Sequence, residues 1–497
     1  MKPRAAALAV AGAGALTLLA IFFTGGSLAA AVAPALALAV LYLAFRAPLR
    51  TCVAVLMFLA LIADAPQDNP MAGLWHSPLY AVGQVLCNNW SNTFGIAALS
   101  FSGLDALTVL LLLRAAFSPA DARTALPLRR ALGLFFAAVL GLGALGIGTG
   151  GAFGNAYWQV RQIVYIPVFA CLLTAALQET GDHLLLGRIV VVAALVKTAV
   201  GLWFHFAIAQ PRGLQPPFLT THADTLLFCL AITLVFVRFL EQPDLKSLRR
   251  CLWIIPLVLW AVWLNNRRIA WVGLFGAFLV VWQFTPRSRV KRKLVLLGSF
   301  AVPFAALYVA AGWGSSAPAF KPVASIRTLV ATKDGTRAAD SSTRSRQIEN
   351  YNLAQTMRRH PLGTGLGHPY EEVVKGPDIS KSFALYRFIP HNSVLWMMSA
   401  GGPLGFFLLW SLFVTGIFLA ARSYRCAVHA ADRIGALSAL CAQLLFLVQA
   451  WGDQGTQSWS PAWLVAAALS VAGRLAVATG AWPSVQRSTE VTHPAAC

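Results

Sequence analysis

The chain has 497 residues, of which 58% are hydrophobic and only 11% charged, and its formal net charge is +21. A soluble domain carries roughly 25% charged residues, so this composition excludes an ordinary water-soluble protein. With a mean hydropathy of +0.67, it points to a chain that lives mostly in lipid.

The apolar residues fall into runs of about 17–23, long enough to cross ~30 Å of hydrocarbon as helices. They are too uniformly apolar for the alternating strands of a membrane barrel. The expected fold is therefore all-α: a polytopic membrane protein with about 12–14 transmembrane helices and one large periplasmic loop. Fourteen spans are read at roughly 5–23, 27–45, 51–65, 96–117, 131–149, 161–178, 188–209, 223–240, 251–265, 269–284, 294–312, 403–421, 434–451 and 461–477. The first begins with Met1-Lys-Pro-Arg4 and has the look of a signal peptide, but a second span follows at once, which favours an uncleaved helix. Residues 1–312 then form the first part of the bundle, 313–402 the loop, 403–477 the last part and 478–497 a cytoplasmic tail.

Orientation follows from Lys and Arg, which concentrate on the cytoplasmic side. With the N-terminus inside, cytoplasmic flanks hold Arg46, Arg50, Arg129, Arg130, Lys246, Arg249, Arg250, Lys291, Lys293, Arg422, Arg425 and Arg433, among others. The short loops opposite hold only Arg161, Arg212, Arg267 and Arg268. The positive charge is thus a topology signal. Its blocks are short, flank spans and lack interleaved aromatics, so no nucleic-acid partner is expected. Cysteines show neither zinc spacing nor an external pair for a disulfide.

Along the chain, Asp105 and Lys197 fall near mid-membrane in the fourth and seventh spans. Intramembrane charges are functional candidates by default, but a structural ion pair between the two is the favoured reading. Gly141-Leu-Gly143-Ala-Leu-Gly146 fits GxGxxG yet lies inside an apolar span, so close helix packing explains it better. Gly363-Thr-Gly365-Leu-Gly367 lacks a P-loop ending and reads as a turn with exposed amides.

The outward arginines carry more information because they are so few. Arg267 and Arg268 follow Asn265-Asn266 between two spans, and Arg212 precedes Thr220-Thr-His222-Ala-Asp224. A lipid diphosphate would compensate them, since guanidinium forks match phosphate oxygens. Ordinary pairing with lipid headgroups or with Asp224 is the alternative. In the large loop, eleven Lys/Arg stand against six Asp/Glu. Ile348, Leu353 and Met357 predict an amphipathic helix from about 343 to 358, ending before Pro361. Then Pro390-His391-Asn392-Ser393 leads toward Gly401-Gly-Pro403, with Asn392 or Ser393 as a helix cap. A lone histidine such as His391 is more often structural than catalytic.

The ordered set Arg212-Gly213, Asn265 to Arg268, Arg344 to Gly367 and His391-Asn392…Gly401…Gly405 resembles the O-antigen ligase and O-antigen polymerase family of membrane glycosyltransferases. The resemblance covers about residues 200–420. It implies a membrane glycosyltransferase that moves a glycan from an undecaprenyl-diphosphate-linked donor to an acceptor hydroxyl on the periplasmic face of the bacterial inner membrane. The acceptor would be lipid A-core or another glycan, with membrane lipids as surroundings. His391 would be the catalytic base or acceptor-orienting residue, with Arg212, Arg267, Arg268 and the weaker Arg344 as diphosphate contacts. Glu371 and Glu372 are fallback bases. No cofactor and no metal are implied, because arginines can stabilise the leaving diphosphate. In this reading positive neighbours keep His391 neutral. A transporter or flippase of lipid-linked glycans is the rival reading; such proteins usually show internal repeats and a midplane site, and here the polar groups cluster at one face.

Overall fold

A computed structural model describes residues 11–12, 14–19, 21, 28–64, 79–94, 99–117, 127–179, 181–214, 218–315, 317–320, 341–380, 385–453, 455–456 and 458–482, with single positions between them. The described elements are helical with no strand, as the apolar runs require: in hydrocarbon a backbone must satisfy its own hydrogen bonds. In chain order they are α1 Leu28–Arg46, α2 Leu49–Ile62, α3 Tyr80–Leu86, α4 Trp90–Phe94, α5 Gly103–Phe117, α6 Arg129–Gly148, α7 Phe153–Ala176, α8 Asp182–Trp203, α9 Asp224–Glu241, α10 Leu245–Leu264, α11 Arg268–Phe284, α12 Arg289–Gly312, α13 Ser341–Arg359, α14 Ser393–Cys426, α15 Ala430–Gly452 and α16 Trp459–Ala478.

Every predicted span from the second onward meets one of these helices; of the first, residues 11–12, 14–19 and 21 are described, and they are helical. The count by strict criteria is lower than fourteen. Among the described residues seven helices are long and apolar enough to cross a membrane, or eight if α7, bent by 41°, is one span. α2 and α11 are apolar but shorter, and α9 carries Asp224, Arg238 and Glu241 within its 18 residues.

The core lies where α15 and α16 pack against α14, α7 and α9. Trp463 on α16 stacks on Phe169 of α7 at 4.0 Å, and both are fully buried. The periphery is the reverse: of α12 only Gly312 is buried. One end of the bundle is tied by Arg50 to Asp182 (2.6 Å) and by Arg433 to Glu241 (2.7 Å). The other end carries the α8–α9 and α10–α11 connections, α13 and the start of α14.

Two mid-span assignments are corrected. Asp105 sits in the first turn of α5, not at mid-span, because that helix begins only at Gly103. Its carboxylate accepts from Ser102 N (2.8 Å) and pairs with Arg161 (2.5 Å). Lys197 is buried as expected, but its partners are Asp64 (2.5 Å) and Asp224 (3.1 Å), not Asp105. Hydropathy placed both charges in apolar surroundings but could not reveal which neighbours three-dimensional packing would supply.

The two glycine motifs meet each other. Gly363, Gly365 and Gly367 all have φ between +73° and +95°, a region open to glycine at no steric cost. The turn they form wedges between α6 and α14. A Cβ on Gly146 of α6 would lie 1.8 Å from Leu366 O, and one on Gly365 would lie 2.3 Å from Gly146 N. The α14 helix breaks at Gly402 (φ 57°, ψ −169°) just before Pro403. Proline has no N–H for the carbonyl four residues back, so Ser399 O is left free. Thr364 N takes it at 3.1 Å, and Gly365 N takes Ala400 O at 2.9 Å. Leu366 N bonds Leu142 O (2.9 Å) and Gly367 N bonds Gln159 Oε1 (2.6 Å). The turn's amides are therefore consumed by the bundle, which corrects the expectation that they are exposed.

Candidate functional site

The site grows from α13, which runs from 341 to 359, slightly longer than predicted. Its buried stripe is mostly polar: Glu349, Asn352, Leu353 and Thr356. Each polar member has a use. Asn352 Oδ1 accepts from Val373 N (3.1 Å) and Val374 N (2.9 Å), and Thr356 Oγ1 accepts from Glu371 N (2.9 Å). These bonds fasten the downstream loop to the helix.

Glu349 holds His391. One carboxylate oxygen accepts from the His391 backbone N–H at 2.6 Å, and the other lies 3.0 Å from His391 Nδ1. The carboxylate is largely buried, with a side-chain exposure of 10%, while the imidazole is 30% exposed. A carboxylate only accepts, so Nδ1 carries a proton, and Nε2 is the nitrogen left outside this contact. Asn392 adds rigidity: it caps α14 by accepting from Leu395 N (3.0 Å) and donates to Asn350 Oδ1 (3.2 Å). The cap was expected. The neighbour of His391 was not: a carboxylate contacts the ring where positive charge had been expected.

A second group centres on Asp453, just beyond α15, with a side-chain exposure of 1%. Arg267 Nη2 donates to Asp453 Oδ2, and Arg346 Nη2 reaches Oδ1 at 3.1 Å. The same Arg267 nitrogen lies 3.0 Å from His222 Nδ1. Burial, then the charge of Arg267, pushes the His222 pKa down to about 4. The ring is therefore neutral near pH 7, accepts from Arg267 at Nδ1 and carries its proton at Nε2. Burial would raise the Asp453 carboxyl, but Arg267, His222 and Arg346 outweigh it and hold it below the usual range.

Local structure explains how Arg267 gets there. Asn265, fully buried, accepts from Leu219 N (3.0 Å) and Thr220 N (3.1 Å) and donates to Thr221 O (3.2 Å). It thereby pins the segment before His222 to the α10–α11 turn. Asn266 completes that turn with φ 52°, a left-handed conformation that asparagine tolerates better than most residues.

The two groups adjoin. Arg346 and Glu349 stand three residues apart on α13, hence on one face. Thr456 Oγ1 donates to Ser393 Oγ at 2.9 Å, joining the Asp453 loop to the start of α14. The charge of His391 also acts on His222.

The other predicted residues are placed differently. Arg268 donates to Thr343 Oγ1 (3.1 Å), at the start of α13. Arg344 is exposed one turn along that helix, and Arg212 is exposed on the turn after the π-helical end of α8; neither shares the Asp453 bonds. Glu371 is occupied by His360 (2.9 Å) and Arg359, and the His360 hydrogen bond, with Arg359 adding to it, holds its carboxyl below the usual range. Glu372 lies 3.7 Å from Arg387. Sequence reasoning missed Glu349, Arg346, His222 and Asp453 as members of the site. No group of three potential metal ligands occurs among the described residues.

Residues 253–410 match the family model described as O-antigen ligase. The match supports the O-antigen ligase/polymerase family and, with it, glycosyl transfer of that general type. It takes in Arg267, Arg346, Glu349 and His391, whereas His222 and Asp453 lie outside it. No curated protein matches the chain.

Proposed function

We propose that this chain, O-antigen ligase-like over residues 253–410, transfers a glycan from an undecaprenyl-diphosphate-linked donor to an acceptor hydroxyl on the periplasmic face of the inner membrane. The observation that carries the proposal is the Glu349–His391 pair beside an arginine group. The acceptor oxygen attacks the donor's anomeric carbon, the bond from that carbon to the diphosphate oxygen breaks, and the acceptor's proton passes to His391 Nε2. Glu349 holds the ring in the tautomer that can receive it and stabilises the imidazolium that results. Arg267, with Arg268, Arg344 and Arg212 at greater remove, offsets the charge on the departing diphosphate. His222 Nε2–H supplies a neutral donor beside them. The acceptor is lipid A-core or a growing glycan.

In this reading turnover needs no metal, because the guanidinium groups do the charge work. Purified protein in lipid nanodiscs, given an undecaprenyl-diphosphate oligosaccharide and acceptor in excess chelator, should form the glycan–acceptor product, followed by mass spectrometry. Strict dependence on added magnesium or manganese would remove the arginine-for-metal argument. Failure to transfer under any condition, with the donor moved across a bilayer, would favour a flippase.

The periplasmic placement rests on the arginine and lysine asymmetry, since the site lies at the bundle end opposite Arg50 and Arg433. Compartment-sensitive reporters fused at Lys293 and at Ser380 should read the cytoplasm and the periplasm respectively. The same signal at both would put the site on the wrong face.

A further inference from the structure

At the bundle end remote from His391, a cavity of about 440 Å³ opens among α8, α9, α10, α15 and α16. Its volume is in the range of small-molecule sites, about 300–1,000 Å³. The walls are aliphatic, with Leu195, Leu234, Ala442 and Leu464 among them. Its polar lining is lopsided. Arg188, Arg238 and Arg250 come from three different helices. Arg238 experiences the positive charges of both others, offset by the carboxylate of Asp244. Asp244 is itself engaged as the cap of α10, accepting from Ser247 N at 2.6 Å. Arg238 Nε is buried with no hydrogen-bond partner. The nearby acids face other partners: Asp182 pairs with Arg50, Glu241 with Arg433, and Asp432 lies 4.0 Å from His183 at the rim.

Three like charges brought together by separate helices, one with an unsatisfied buried N–H, are unfavourable unless an anion joins them. An aliphatic chamber beside them is favourable for an acyl chain. We propose that this cavity binds an anionic glycerophospholipid, its phosphate held by Arg188, Arg238 and Arg250 and an acyl chain lying against Leu195, Leu234 and Leu464. The site is independent of glycan transfer, and it faces the leaflet that the charge asymmetry assigns to the cytoplasm. Basic pockets between membrane helices on that side suit anionic headgroups.

The test uses the full-length detergent-solubilised protein titrated with phosphatidylglycerol or phosphatidylcholine of matched chains, with bound lipid read by native mass spectrometry. Phosphatidylglycerol should be preferred about tenfold or more, as ~1 kcal/mol per basic residue implies. Arg238→Gln combined with Arg250→Gln should bring the two lipids near parity. Ala467→Trp, which fills the chamber, should lower binding of both. Parity in the unaltered protein overturns the proposal without recourse to any variant. So does an undiminished preference in the double arginine variant, or displacement of phosphatidylglycerol by equimolar undecaprenyl phosphate, which would assign the chamber to an isoprenoid.

Discussion

His391→Ala should lower glycan transfer by about 10²–10⁴-fold, the usual contribution of a positioned general base, while the protein still folds and binds donor. The side chain is 30% exposed and makes one side-chain hydrogen bond, so little packing is lost. The backbone N–H of residue 391 still meets Glu349 in the variant. Glu349→Gln tests the carboxylate itself. Glutamine offers one acceptor oxygen where Glu349 uses two: with that oxygen on the backbone N–H, its NH2 faces Nδ1 and disfavours the working tautomer, and it carries no charge to stabilise an imidazolium. Its transfer rate should fall between those of the unaltered protein and His391→Ala. The measurement is initial rate of product formation on protein matched by detergent-solution size-exclusion profile. Near-normal transfer by His391→Ala would show that the proton goes elsewhere.

The second large effect concerns Asp453. Asp453→Ala should destabilise the protein by about 3 kcal/mol or more, since removing one partner of a buried ion pair strands the other. Arg267 would be left 18% exposed, beside Arg346 and without its carboxylate. Transfer should fall as well. The double variant Asp453→Ala with Arg267→Ala should recover much of the lost thermal stability, because the more buried of the two stranded guanidinium groups is gone and Arg346 is half-exposed. It should not recover transfer, because the guanidinium proposed for the diphosphate has gone too. Melting temperature and transfer rate measured on all four proteins of the cycle give the coupling directly. Recovery of transfer in the double variant would reduce Arg267 to a structural counter-ion.

The membrane helices were legible because an apolar run has one stable conformation in lipid, and its length is set by the bilayer. Arg267 stood out because the short loops that the charge pattern assigns to the outside hold few cations, whereas His391 stood out only as part of the ordered set that resembles the ligase and polymerase family. Glu349 carried no such signal. It is one of six acids in a long polar segment, and only the packing of α13 against the start of α14 singles it out. Asp453 did have a signal. It follows an apolar helix directly, between Gly452 and Gly455, at the end where arginines outnumber nearby acids. Matching counter-ions across loops would have proposed it. The pairing of Asp105 with Lys197 failed for the opposite reason, since similar apparent depth says nothing about lateral neighbours. The glycine turn was read as a loop because the carbonyls it satisfies are created by the break in α14, two sequence segments away.

The Asp453 ion pairs also bear on biogenesis. A chain emerging from the ribosome presents Arg267 first and Arg346 some eighty residues later. Their shared carboxylate comes only after α14 and α15 have been made. Until then the two guanidinium groups repel each other, and the His391 segment lacks the tie from Thr456 to Ser393. A nascent chain already threaded into the bilayer therefore holds its arginines apart from one another and its histidine loosely placed. Ordering of this face of the bundle therefore waits for α15 and for the Asp453 that follows it.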